Sequence, residues 1–126
     1  MSKKALIVDD SMSIRFYIKD SLASLGFEFL EAESGEECFA LLEKKPHIDL
    51  ALLDWNLEDA NGLDILIKLK EIPEYQDITS IFVTADSDQA AKIHVILSMN
   101  DSKNHYIAKP FAKEAILALV KEVMGL

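Results

Sequence analysis

The sequence has 126 residues, half of them hydrophobic, which suffices for one domain with a sizeable core and excludes a disordered chain. Thirteen Lys and Arg against 22 Asp and Glu give a formal charge of -9, so direct nucleic-acid binding, which needs a basic face, is not expected. Met1-Ser2-Lys3-Lys4 precedes an apolar run too short for a signal-peptide core, no run approaches membrane-spanning length, and the single Cys38 cannot form an internal disulfide. The chain therefore reads as a cytoplasmic protein without membrane insertion.

In chain order, Lys4 to Asp9 predicts a short apolar strand. Ser11 is a candidate cap for a helix with apolar residues at Ile14, Ile18, Leu22 and Leu25, which Gly26 closes. Phe27 to Ala32 predicts a second strand, and Ser34-Gly35-Glu36-Glu37 has the Ser-x-x-Glu form of a capping box ahead of Cys38, Phe39, Leu41 and Leu42. Lys44, Lys45 and Pro46 stop that helix.

The run Asp49-Leu50-Ala51-Leu52-Leu53-Asp54-Trp55-Asn56 predicts a third strand buried on both faces, which delivers Asp54 to its far end. Asn61-Gly62 opens a helix carrying Leu63, Leu66 and Leu69 that ends before Pro73. Thr79 to Val83 predicts a fourth strand ending at Thr84, and a helix follows from about 86 to 99 with Ile93, Ile96 and Leu97 inward. Tyr106 to Lys109 predicts a fifth strand, and Ala112 to Met124 a closing helix with Ile116, Leu119, Val120 and Val123 apolar. Five strands alternating with five helices imply an α/β fold with a doubly wound parallel sheet.

Such a sheet gathers ligands outside the carboxyl ends of its strands. Asp9 and Asp10 end the first strand, Asp54 the third, Thr84 the fourth and Lys109 the fifth, so all five converge on one edge. Singly, each has an ordinary reading as a turn, cap or strand-end residue. Together they form a carboxylate cluster whose repulsion a divalent cation and the Lys109 ammonium would relieve. Oxygen-only ligation suits Mg²⁺, whereas His47, His94 and His105 are scattered and suggest no zinc site.

With these motifs in that order, the whole sequence resembles a response-regulator receiver domain of two-component signalling, of the single-domain chemotaxis type. The matching residues are Asp9-Asp10, Leu52-Leu53-Asp54-Trp55-Asn56 with Gly62, Thr84-Ala85, and Tyr106 leading to Lys109-Pro110-Phe111. The resemblance implies one receiver domain over 1–126, flavodoxin-like, with strand order 2-1-3-4-5. It makes Asp54 the phosphoacceptor, Asp10 and Asp54 side-chain ligands of Mg²⁺, Asn56 a ligand through its backbone carbonyl, and Asp9 a ligand mostly through water. Lys109 and Thr84 would contact phosphoryl oxygens, Thr84 and Tyr106 would form the switch, and Lys109-Pro110 would be cis. Asn56 and Asp86 would flank the path of an attacking water.

The resemblance also implies a phosphoacceptor regulator rather than an enzyme on a separate substrate, one that assists its own phosphotransfer and autodephosphorylation. The donor would be the phosphohistidine of a sensor kinase or phosphotransfer protein, meeting the first helix near Ser13, Phe16 and Tyr17. Helical periodicity cannot place both Phe16 and Tyr17 inside. A downstream protein would bind the face of the fourth helix, fifth strand and fifth helix, around Ile93, Val95, Lys103, Tyr106 and Ala112. A monomer is expected, with dimerisation on phosphorylation as the alternative. Met1-Ser2-Lys3-Lys4 reads as a natural start, and an excised receiver is the other reading.

Three positions depart from the family pattern: Glu58 where Pro is usual, which predicts a more mobile loop and another acidic group at the site; Asp101, Ser102 and Lys103 where small residues are usual; and Ala112 where a Ser or Thr cap is common. Three rivals are weaker. A dehalogenase-type phosphohydrolase wants an acid where Asn56 stands, and its nucleophile on the first strand; a flavin carrier would meet repulsion from Asp9-Asp10; a phosphorylation-blind module would not need the intact acidic set.

Overall fold

Apolar residues on successive strand positions point to opposite faces, and here both faces are covered, so the strands alternate between two cores. The computed structural model describes residues 3–85 and 103–126. Its strands are β1 (Lys4–Val8), β2 (Glu28–Ala32), β3 (Leu50–Asp54), β4 (Thr79–Ala85) and β5 (Asn104–Lys109). They form one parallel sheet in the order β2-β1-β3-β4-β5, which bears out the expected topology.

Leu6 and Val8 of β1 and Ala51 and Leu53 of β3 pack with α2 (Gly35–Leu42) and α3 (Gly62–Glu71) through Cys38, Leu42, Ile65, Leu66 and Leu69. Ala5, Ile7, Leu50 and Leu52 face the other way, onto Ile18 of α1 (Met12–Ser21) and Ile116 and Val120 of α4 (Lys113–Met124). All five residues of β3 are buried. Each fully buried leucine there contributes about 1.5–3 kcal/mol, so this strand is expensive to displace and a rigid support for Asp54.

Four α-helices occur among the described residues. The helix predicted over about 86–99, with Asp86, Ile93, His94 and Val95, lies outside them, as do Asp101 and Ser102. No helix among the described residues is long and apolar enough to cross a membrane.

The helix ends follow the sequence signals, with one difference. Ser11 caps α1 by accepting from the Ile14 N–H at 3.2 Å, and Gly26 leaves the following short 3-10 turn with φ 75°, where a residue without Cβ is favoured. Ser34 likewise accepts from the Glu37 N–H at 3.1 Å. The reciprocal capping box, however, is found at α3, where the Asn61 Oδ1 accepts from the Asp64 N–H and the Asp64 Oδ2 accepts from the Asn61 N–H. At α4 the Ala112 cap provides no side-chain hydrogen bond, as its methyl group dictates. β5 starts two residues earlier than Tyr106 because Asn104 pairs with Ser80, whose Oγ lies 2.7 Å from the Asn104 Oδ1.

Candidate functional site

The parallel register decides which side chains meet. Val8 is level with Leu53, Asp54 with Val83, Thr84 with Ala108 and Ala85 with Lys109, so the strand ends present Asp9, Asp54, Thr84 and Lys109 along one edge. Carboxylate oxygens of Asp9, Asp10 and Asp54 all lie within 4.8 Å of one another. Asp9 and Asp54 are buried, whereas Asp10 is exposed at the rim.

Lys109 joins the two buried carboxylates. Its Nζ donates to the Asp9 Oδ2 at 3.0 Å and to the Asp54 Oδ1 at 3.4 Å. Burial pulls its pKa down, but Asp54 and Asp9 together outweigh that, and the ammonium is held above its usual range. Asp54 shows the opposite balance. Burial and then repulsion from Asp9 push its pKa up to about 6, against the pull of Lys109 and of the Asn56 N–H, which donates to its Oδ1 at 3.3 Å. The site therefore holds two buried carboxylates with one ammonium, a deficit of positive charge.

Asp9 is fixed from several sides. Its Oδ1 accepts from the Ser11 N–H at 2.9 Å, its own N–H donates to the Ala32 carbonyl at 3.1 Å, and its carbonyl accepts from the Arg15 Nη1 at 2.6 Å. Arg15 is the only arginine in the sequence and is buried; its Nε donates to the Glu31 Oε1 at 3.1 Å. A hydrogen bond from Lys19, with Arg15 adding to it, holds Glu31 below the usual carboxylate range. The sequence signal for Arg15 was present: it occupies a position on the same helix face as Ile18 and Leu22 that an apolar residue would otherwise fill.

Thr84 is 2% exposed, and its Oγ1 is the one buried side-chain polar atom without a hydrogen-bond partner among the described residues. A buried hydroxyl left so costs about 1–3 kcal/mol. Tyr106 stands outside this cluster. It is level with Phe82 on the neighbouring strand and 41% exposed.

The connection after Asp54 is tightly closed. Asn56 and Asn61 form an antiparallel bridge, the Leu57 N–H donates to the Ala60 carbonyl at 3.0 Å, and the Gly62 N–H donates to the Trp55 carbonyl at 3.0 Å. Gly62 is demanded by space: a Cβ there would lie 2.9 Å from the Asp54 carbonyl oxygen and from the Phe82 ring. Trp55 meets Phe82 edge to face with ring centres 5.5 Å apart. Glu58 joins Asp10, Glu33 and Ser34 around an acidic depression beside the cluster, as the extra carboxylate in the sequence led one to expect.

Two further expectations are resolved. Lys109-Pro110 is cis. Phe16 is 66% exposed, while the Tyr17 hydroxyl donates to the Phe111 carbonyl at 2.9 Å and its ring lies 5.6 Å from that of Phe111.

Residues 5–121 match the protein family described as the response regulator receiver domain. The chain is 36% identical over 123 residues to the chemotaxis protein CheY homolog of Campylobacter jejuni (serotype O:23/36, strain 81-176), covering 97% of this chain and 92% of that protein. It is 34% identical to the chemotaxis protein CheY1 of Helicobacter pylori (strain ATCC 700392 / 26695), covering 97% of both. Among solved structures, a CheY-like response regulator receiver domain protein from Methanospirillum hungatei JF-1 is similar with a TM-score of 0.83 and 28% identity, over 99% of this chain and 95% of that one.

Proposed function

The chain belongs to the response regulator receiver domain family, and from that premise we propose that it is the phosphoacceptor switch of a two-component phosphorelay, with Asp54 as the acceptor. We take residues 1–126 as one receiver domain acting in the cytoplasm. A carboxylate oxygen of Asp54 attacks the phosphorus of a phosphohistidine. The P–N bond breaks as the new P–O bond forms, and the electron pair leaves with the imidazole nitrogen, which takes up a proton.

Such a transfer needs positioning and charge neutralisation more than covalent assistance from the protein. Lys109, already shared by Asp9 and Asp54, supplies one positive charge to the incoming oxygens. Thr84 supplies a hydroxyl donor to another. Its buried, partnerless Oγ1 at the edge that carries Asp54 is the observation that carries this reading.

The remaining charge deficit fits a hard divalent cation: three carboxylates offer oxygens within 4.8 Å of one another, with no sulfur or imidazole among them. Asp10 and Asp54 would hold Mg²⁺ by side chain, Asn56 by its backbone carbonyl and Asp9 mostly through water. When bound, Mg²⁺ neutralises the charge that gathers on the carboxylates and the phosphoryl oxygens. The protein is then a regulator that assists its own phosphorylation and dephosphorylation, not an enzyme acting on a separate substrate.

The exposed Met12 and Phe16 on α1 support a docking surface there for the sensor kinase or phosphotransfer protein. Output follows when Thr84 and Tyr106 respond to the phosphoryl group and change binding of a downstream protein at the face formed by β5 and α4. The protein acts as a monomer, and dimerisation on phosphorylation is the alternative.

Trp55, the only tryptophan, adjoins Asp54 and reports on this site. Its fluorescence is expected to change on saturation with Mg²⁺ and again on adding beryllofluoride, and Asp54→Asn should abolish the second change. A wild-type protein that ignores both Mg²⁺ and beryllofluoride would overturn the proposal in favour of a constitutive binding module.

A further inference from the structure

Where the family commonly has Pro this chain has Glu58, and the next residue, Asp59, makes a contact between two loops distant in sequence. The tip of the β3–α3 connection leans on the start of α2. There the Asp59 Oδ1 accepts from the Gly35 N–H at 2.8 Å and the Asp59 Oδ2 accepts from the Glu36 N–H at 2.9 Å. With Ser34 serving the Glu37 N–H, three backbone donors that a helix start leaves open are taken, two of them by a residue from another loop. These two hydrogen bonds, that from Glu36 first, hold the Asp59 carboxyl below the usual range.

The approach is close enough to constrain sequence on both sides. A Cβ on Gly35 would lie 2.9 Å from the Ala60 Cβ and 3.2 Å from the Asp59 Oδ1, so only glycine lets the loop seat fully. Behind this contact the loop is a small hairpin, closed by the Leu57 N–H to Ala60 carbonyl bond and the Asn56–Asn61 bridge. Asn56 sits at the base of that hairpin, with its N–H on Asp54. The tip is thus bolted to α2 and the base carries the backbone that lines the carboxylate site.

Resting on the reading of Asp54, Asp10 and Asn56 as a Mg²⁺ site, we propose that Asp59 is a positioning residue. By clamping the hairpin onto the N-terminus of α2, it holds the Asn56 carbonyl where the cation needs it. Asp59 itself touches neither cation nor phosphoryl group. Supporting groups of this kind set how much of a site is formed before its ligand arrives, and hence its affinity.

The test titrates the 126-residue chain with Mg²⁺ by Trp55 fluorescence, in wild type, Asp59→Ala, Asp59→Asn and Gly35→Ala, with amide hydrogen exchange of residues 35 and 36 followed alongside. Asp59→Ala is expected to weaken Mg²⁺ binding about 10-fold, the low end for loss of a group that orients a metal ligand, and to speed exchange at both amides. Asp59→Asn, which keeps one acceptor oxygen, should lose less. Gly35→Ala changes no charge and on helix propensity alone would stabilise the protein; here it should weaken Mg²⁺ binding by pushing the loop away.

Wild-type affinity in folded Asp59→Ala would overturn the proposal. So would a loss in Asp59→Ala with none in Gly35→Ala, since that pattern reports the charge of Asp59 rather than its clamp. If Asp59→Ala does not fold, Gly35→Ala decides alone. Absence of any Mg²⁺ response in wild type would instead sink the metal-site reading beneath it, so the two failures are distinguishable.

Discussion

Asp9 and Asp54 stand at the same edge of one sheet, are buried alike and share one lysine, yet their surroundings differ in kind. At the end of β1 each oxygen of the Asp9 carboxylate has a donor, its carbonyl holds Arg15 and its N–H reaches Ala32. At the ends of β3 and β4 the two hydrogen bonds to Asp54 both fall on Oδ1, at 3.3 and 3.4 Å, and the Thr84 hydroxyl has no partner among the described residues. A buried carboxylate with a donor on each oxygen is held in place, whereas one whose two long hydrogen bonds share a single oxygen, beside a hydroxyl without a partner, is held more loosely. One edge thus combines a finished half, tied down by hydrogen bonds, with an unfinished half that the proposed phosphoryl transfer would use.

The contrast predicts opposite signs for similar mutations. Asp9→Ala leaves the Ser11 N–H without its acceptor and Lys109 with Asp54 alone, and should destabilise the protein by about 2 kcal/mol in urea denaturation. In the same variant the pKa of Asp54, raised to about 6 partly by Asp9, should fall. A neutral effect of Asp9→Ala would break the comparison outright.

Asp54→Asn should do the reverse, stabilising the metal-free protein by on the order of 1–2 kcal/mol, the scale of an incompletely compensated buried polar group. The sign follows from proton linkage. The native state holds the Asp54 proton up to about pH 6 while the unfolded chain releases it near the ordinary aspartate value of 3.8, so wild type loses stability as pH rises through that interval. The gain from Asp54→Asn should accordingly be complete above pH 6 and vanish below about pH 4 in thermal melts with a chelator present. A gain that grows toward acid pH would contradict the burial of an under-compensated charge.

Thr84→Val sharpens the same point at smaller scale. Removing a partnerless hydroxyl while keeping its shape should stabilise the resting protein by about 1 kcal/mol. It should nevertheless weaken beryllofluoride retention about 10-fold, because the hydroxyl's partner would be the ligand. Destabilisation of the resting protein would mean that Thr84 is already satisfied.

The finished half and the unfinished half were not equally legible in the sequence. Asp9, Asp54, Thr84 and Lys109 could be assembled without coordinates, because apolar runs of strand length fix the elements and parallel pairing puts their ends together. Asp59 could not: its partners are 23 and 24 residues away, and only the path of the hairpin across α2 creates the contact. Arg15 carried a signal, a cation on an apolar helix face, whose meaning depends on Glu31 and the Asp9 carbonyl lying beneath it. The capping box was readable as a pattern but was assigned to Ser34 rather than Asn61, since Asn and Asp fill the same roles as Ser and Glu. Tyr17 and Phe16 are told apart only by the loop after β5, whose Phe111 carbonyl meets the Tyr17 hydroxyl.

The smallest prediction separates two kinds of openness on this edge. Ala112 begins α4 just beyond Lys109-Pro110 and leaves the helix start without a side-chain acceptor. If this were another group kept ready for a ligand, filling it would disturb the site; if it is only a missing cap, filling it should do nothing but stabilise. Backbone angles of -77° and 152° at Ala112 already suit a capping residue, so Ala112→Ser needs no rearrangement to reach the helix N–H groups. It should add about 0.5–1 kcal/mol of stability, read from denaturation midpoints at constant m, with Mg²⁺ affinity and the Trp55 response unchanged. A loss of Mg²⁺ or beryllofluoride binding in Ala112→Ser would extend the unfinished half of the edge from β4 to α4, and place the start of that helix within the switch.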